Sequence, residues 1–349
     1  MNFRLKIEDF RFSRFLPSHR EAPPPTPFPD PKSKIFNRKS SIEGLQSSIF
    51  NRKSLWAVLL AAFVAVSTLA QQAAPQPAEP KVAPPFPVAT PYPFSVGEKL
   101  AYEFSFSRFP LSGKLGELEI SVTPAASAEQ LAQKFAPEAK IADEAPKLAF
   151  QATAQSKGLL VSLFGVKLKN EYLSIADARD LGLMYSQKDV IDGKKHKQQF
   201  ILFDRPAAKM ALTDIDLVAS PKKVVAKTVD GRGWASNLLT CWYVLRTQPL
   251  TPGTTIPMVL NEDGQVYDVN VVVTQDVETI KTDAGKFKAR KLDIKAYEAK
   301  FVRNPGNFYL WISEDAARIP VRVKFKTRGA TVTGDLVKRT PGKVEKAEK

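Results

Sequence analysis

From Phe94 onward the chain alternates apolar and polar positions with a period of two. In FSVGEKLAYEFSFSRF, Leu100, Tyr102, Phe104 and Phe106 alternate with Ala101, Glu103, Ser105 and Ser107, the pattern of a half-buried β-strand. GELEISV repeats it with Leu118, Ile120 and Val122, and KLAFQATAQS with Leu148, Phe150, Ala152 and Ala154. Further strands are predicted in KLKNEYLSI, LGLMYSQKDV, KQQFILFD, TTIPMVL, QVYDVNVVV, ARKLDIKAYE, NFYLWIS, IPVRVKFK and ATVTGDLV. The linkers IDGKK, NEDGQ, TDAGK, NPGN and SEDAAR are built from turn-forming residues.

Two segments change period. SKGLLVSLFG predicts a short helix and SNLLTCWYVLRT a firmer one, with Leu238, Cys241, Trp242 and Leu245 on one face. Ser236 or Asn237 caps the second helix, and Pro249 stops it. Residues 124–146, rich in Ala and Pro, read as an insertion carrying one weak helix. Many short strands with few helices predict a mainly β fold: a single curved antiparallel sheet or incompletely closed barrel with one or two short helices packed on it.

The first ninety residues do not follow this pattern. Leu55 to Val66, LWAVLLAAFVAV, is an apolar run preceded by Arg52 and Lys53, and is short for a bilayer span. Small residues follow it, placing a signal-peptidase cut after Ala70. Residues 51–70 therefore read as a signal peptide and the domain as exported and periplasmic; the alternative is an inner-membrane anchor over 55–74 with the domain on the same side. Residues 71–93 form a Pro-rich spacer. Residues 1–50, with IFNRKS at Ile35–Ser40 repeated at Ile49–Ser54, read as an upstream extension, either untranslated or disordered. The folded domain spans 94–340 and a basic tail 341–349.

Charge narrows the partners. Of the formal +15 on 349 residues, +6 lies in residues 1–70, leaving +9 spread over the exported part. That excess lacks the clustered Arg and aromatic pattern of a nucleic-acid binder, while peripheral contact with an anionic membrane surface stays open. Cys241 is the single cysteine, so no internal disulfide forms; its place on the apolar helical face reads as buried.

Candidate chemistry is sparse. His196, the one imidazole after the cut, lies in a Lys-rich turn, where neighbouring cations disfavour its protonated form. Asp214 and Asp216 share one face of an extended segment, which a solvent face explains. GRGW at Gly231 to Trp234 reads as a turn leading into the helix, or as a lid over a cavity. No catalytic residue, metal site or cofactor is indicated. The aromatic stripe is the feature with functional potential. Phe104, Trp242, Tyr243 and Trp311 are expected to line an apolar groove between the curved sheet and the helix at Leu238 to Leu245.

The order of several pieces resembles the bacterial domain of unknown function 3108 family over about 94–337: FSVGEKLAYEFSF, LLTCWYVLRTQPLTPG, VYDVNVVV, ETIKTDAGKFKARKL and FYLWISEDAARIPVRVKFK. The resemblance implies an envelope location and a β-rich fold, and transfers no activity or catalytic residue. The Ala-rich insertion and the basic end depart from the pattern. The hairpin LWISEDAARIPVRVKFK is also similar to the closing hairpin of periplasmic lipoprotein-localisation carriers. The expected function is a non-enzymatic envelope binding or carrier module for an apolar or lipid-like ligand. The alternative is a scaffold that binds another envelope protein; a hydrolase is the third reading.

Overall fold

The computed structural model describes residue 88 and residues 90–342, apart from 138–140, 142–144, 159–160, 162–166, 297 and 302–305. The upstream extension, the signal segment with Ala70, most of the spacer, most of SKGLLVSLFG and the tail from 343 lie outside the described residues.

Fourteen strands make one sheet. They are β1 (Lys99–Arg108), β2 (Leu111–Thr123), β3 (Lys147–Ser156), β4 (Leu168–Asp177), β5 (Leu183–Asp192), β6 (Lys195–Asp204) and β7 (Lys209–Asp216), followed by β8 (Lys223–Asp230), β9 (Thr255–Glu262), β10 (Gln265–Thr282), β11 (Gly285–Ile294), β12 (Gly306–Ser313), β13 (Pro320–Thr327) and β14 (Thr331–Thr340). Helix α1 (Ala125–Phe135) follows β2, and α2 (Thr240–Thr247) stands between β8 and β9. Each strand pairs antiparallel with its sequence neighbour, β1 pairs with β14, and the ladder is open only between β8 and β9. The break in the sheet is thus where the chain leaves it to make α2.

Opposed residues in an antiparallel ladder point to the same side, so each face can be followed across strands. Tyr102 stands opposite Leu118 and Leu336, and the row Val122, Phe150, Ser174, Ser186, Ile201, Leu212 continues that face through β7. This is the inner face, because α2 packs on it: Trp242 meets the Tyr102 ring at 5.4 Å and Tyr243 meets Phe150 at 4.4 Å. On β14, Gly334 admits Phe104, since a Cβ there would lie 2.6 Å from the Phe104 ring.

All eight residues of α2 are buried. The sequence suggested a helix with one apolar side laid over the sheet; instead it is enclosed all round, as a helix is when apolar groups and satisfied polar groups cover its whole surface. Before α2, Asn237 Oδ1 accepts from the backbone N–H groups of Leu239 (3.1 Å) and Thr240 (3.0 Å). After it, Gln248 is extended, as the residue before a proline tends to be.

Side chains and one bridge span the open seam. Ser236 N–H donates to Val259 O (2.9 Å) and Ser236 O accepts from Asn261 N–H (2.7 Å), while Leu183 N–H donates to Ala235 O (3.0 Å). Residues 235–236 therefore link β9 to the β4–β5 turn. Ile201, Met210 and Leu212 pack with Phe203, Val229 and Val266. Lys188 pairs with Glu262 and, at 2.8 Å, with Asp263. The hairpin turn itself uses Asp263 (φ 53°) and Gly264 (φ 73°), the positive-φ pair of a tight two-residue turn. The result is an incompletely closed barrel.

The Ala-rich insertion has a structural role. Ala128 and Ala132 of α1 pack on Ala149, Leu173, Ile175 and Tyr185, which stand on the outer face of β3–β5, opposite to Phe150 and Ser174. Strands β7 and β8 are additions to the predicted set. β8 is exposed at nearly every position, so it has no buried face to impose alternation.

Candidate functional site

The space between sheet and α2, where a groove was expected, is filled. Phe104 (6%), Trp242 (6%) and Tyr243 (0%) are almost fully withdrawn from solvent. Tyr243 wedges between Phe94 and Phe150, at ring distances of 5.0 and 4.4 Å. The side chains that would have lined a groove close it instead. A cavity of about 10 Å³ remains beside the start of α2, with Tyr172, Ser174, Lys188, Asn237, Leu238 and Glu262 around it; such a space is at the threshold for a single water.

The same helix carries a buried ion pair that sequence reasoning missed. Arg246, in the LRT of LLTCWYVLRTQPLTPG, has a fully buried side chain. It donates to Glu98 through Nη1 (2.5 Å) and Nη2 (2.9 Å), and to the carbonyls of Pro93 and Ala317, each at 3.0 Å. Its guanidinium also sits 5.1 Å from the Phe94 ring and 5.5 Å from Tyr243. Arg246 therefore ties together the segment entering β1, the helix and the β12–β13 turn.

Trp311 is not part of this cluster. It lies opposite Lys291 and Arg322; Arg322 lies opposite Asp335, and Asp335 opposite Glu103. Glu103 follows Tyr102 on an alternating strand, so this row occupies the outer face. There a cleft of about 720 Å³ opens, lined by Tyr309, Trp311, Lys291, Lys324, Lys326 and Arg328 together with Gly306, Asn307, Thr327 and Glu278. The volume falls within the range of ligand clefts.

The ladder accounts for the composition of this cleft. Tyr309 stands opposite Lys324 and Trp311 opposite Arg322, with Asn307 opposite Lys326, so the aromatic residues of β12 face cationic residues of β13. Tyr309 and Trp311 meet at 5.9 Å. Lys291 Nζ lies 4.6 Å from the Tyr309 centroid and Lys324 Nζ 5.6 Å from that of Trp311, within cation–π range. The β10–β11 register shifts between Val273 and Val277, a bulge that bends a strand. β10 also approaches β13 and β14, with which it does not pair. Ile280 and Ala289 are buried on the outer face there, and Glu278 borders the cleft.

The other candidates each have partners within the fold. His196 Nε2 lies 2.7 Å from Asp189 Oδ1, so a carboxylate partners the ring amid the surrounding lysines. Asp214 accepts from Gln199 Nε2 at 2.8 Å, and Asp216 accepts from the backbone N–H of Val218 at 3.1 Å. Trp234 of GRGW is buried, its Nε1 donating to Asp180 O at 2.9 Å; the segment is a turn fastened to the β4–β5 connection. Burial pushes the Cys241 thiol up to about 12, and its Sγ–H faces Leu238 O at 3.2 Å. Burial thus disfavours the thiolate, the nucleophilic form, at neutral pH. Among the described residues, no cluster of three or more His, Cys, Asp or Glu side chains has metal-holding geometry, and no helix is long and apolar enough to cross a membrane.

Fold and site together define a mainly β, barrel-like module with a helix sealed inside and a cationic aromatic cleft outside. The chain belongs to the family of proteins of unknown function DUF3108, whose model matches residues 122–337, from the end of β2 into β14. No curated protein matches it. Solved structures that resemble it include three that each match over 71% of this chain and 98% of their own. They are a β-barrel-like protein of the domain of unknown function DUF1849 from Brucella abortus (11% identity, TM-score 0.42), a protein described as a candidate exported protein with a YmcC-like fold from Bacteroides fragilis (11%, 0.26) and a candidate lipoprotein from Parabacteroides distasonis (7%, 0.22).

Proposed function

We propose that this chain is a non-enzymatic binding module of the cell envelope that holds a lipid-like ligand in the outer cleft. The observation that carries this reading is the contrast between the two faces. The inner face offers about 10 Å³ beside α2, whereas the outer cleft offers about 720 Å³ floored by Trp311 and Tyr309. Aromatic floors bind apolar chains and planar groups by dispersion and area burial. The apolar run before Ala70 supports the envelope assignment.

Native mass spectrometry of protein purified from its own envelope tests the reading. A lipid-sized adduct is expected on the parent protein and on Trp242→Phe, and is expected to be lost in Trp311→Ala. An adduct that survives Trp311→Ala but not Trp242→Phe would place the ligand on the inner face and overturn the assignment.

A second reading, a scaffold that presents a sheet edge, draws on β8. This edge strand is unpaired on one side, and Val224 and Val225 are exposed at 59% and 43%, which makes it a template for an added strand. Val225→Pro would abolish partner binding under this reading and leave the lipid adduct unchanged.

A further inference from the structure

We infer that the cleft selects an amphiphile by an unmasked phosphate group, one whose negative charge is not offset by a cationic substituent, gripped by Lys324, Lys326 and Arg328 and by the indole N–H of Trp311. This rests on the cleft being the ligand site and adds the chemistry of what it accepts.

The first support is an imbalance of charge. Neighbouring cations have acidic partners: on the same face Arg322 holds Asp335 through two bonds (2.5 and 3.0 Å) and Lys291 holds Asp276 (3.2 Å), and just past the end of β11 Lys295 holds Asp293 (3.0 Å). Lys324, Lys326 and Arg328 have no carboxylate within ion-pair distance among the described residues. Lys324 and Lys326 leave the same face of β13 two residues apart, roughly 7 Å along the strand, and Arg328 follows in the turn. The lining bears four cations and one carboxylate, Glu278.

The second support is independent of charge. Trp311 is 4% exposed, and its Nε1 has no hydrogen-bond partner among the described residues. A buried donor left unmade is costly, and this one belongs to a residue that lines the cleft. An acceptor oxygen on the ligand would satisfy it.

Phosphate fits this donor set better than a carboxylate. It presents more acceptor oxygens and carries charge enough for several cations, and both guanidinium and ammonium groups bind it strongly. The same chemistry is present in free inorganic phosphate and in a lipid head group, and the aromatic floor distinguishes them. Only the lipid also uses Tyr309 and the ring face of Trp311.

The test is a binding titration of the full chain with three soluble probes: short-chain phosphatidic acid, short-chain phosphatidylcholine and inorganic phosphate. The acidic lipid is expected to bind at least tenfold more tightly than phosphatidylcholine, and to weaken at least tenfold between 50 mM and 500 mM salt. Lys324→Gln combined with Lys326→Gln is expected to remove that preference while leaving weak binding of both lipids. Glu278→Gln is expected to tighten the acidic lipid a few-fold. Trp311→Phe, which keeps a ring and removes the N–H, is expected to weaken the acidic lipid more than phosphatidylcholine. Equal binding of both lipids, unchanged in the double Gln variant, would overturn the phosphate inference and leave the binding-module reading standing. Inorganic phosphate binding as tightly as the lipid would support the anion site and overturn the lipid reading. No binding of any probe overturns both.

Discussion

Arg246 has a fully buried side chain, paired with a Glu98 that is 148 residues away in the chain. Truncating one member of such a pair leaves the other charged and desolvated. Arg246→Met is therefore expected to destabilise the domain by about 3–5 kcal/mol in urea unfolding. Adding Glu98→Met to that variant should recover part of the loss; a strictly additive double variant would mean the two side chains do not act as a pair. Nothing in the sequence marked Arg246 for this role, because an arginine in the last turn of a helix usually faces solvent near the helix C-terminus. Cys241 gives a second expectation at this scale. Its folded thiol is pushed up to about 12 by burial, whereas an unfolded thiol titrates near 8.5. The native state then binds more protons than the unfolded state above that pH, so the contribution is intact below about pH 8.5 and is lost as pH rises toward 12. Burial raises the phenols of Tyr102, Tyr172 and Tyr243 as well, with the same sign. Unfolding midpoints should fall from about pH 9 upward, and Cys241→Ala should make the first part of that fall shallower.

At the level of elements, legibility followed burial. β1, with Leu100, Tyr102, Phe104 and Phe106 all buried on one side, announces itself by period, and so do β12 and β13. β8 does not, since KVVAKTVD is exposed on both faces and nothing selects an alternation. The helix over Thr240–Thr247 was visible, but its environment was not: Thr240 and Thr247 look like a solvent side until partners are known, and both are buried. The lysines of β13 carried no signal of their own in the sequence. Lys324 and Lys326 take the solvent positions of an alternating strand, and no local pattern shows that the opposed residues lack carboxylates. Native-state hydrogen exchange should order these elements, with β8 amides exchanging first and those of α2, β1 and β14 last. Protection of β8 equal to that of β1 would contradict the edge assignment. Ala128→Glu would force a carboxylate against Ile175 and Tyr185 on the outer face, and a loss of about 2 kcal/mol or more is expected.

On the proposed reading the sheet gives its two faces different roles. The inner face is spent on stability: it closes over α2, and its polar groups are taken up in contacts such as Asn237 with Ser174 at 2.8 Å. The outer face is covered by α1 on β3–β5 and left open over β12–β13. A curved sheet was readable from the alternation, but its concave side drew the expectation of a ligand there, because period alone cannot say whether an aromatic row meets a cavity or a buried helix. The direct test is photo-crosslinking with a phospholipid that carries a diazirine on its acyl chain, followed by peptide mapping. The account expects label on residues 306–328, centred on Tyr309 and Trp311, with little on 240–247. Label concentrated on Trp242 and Tyr243, with 306–328 unmodified, would contradict it.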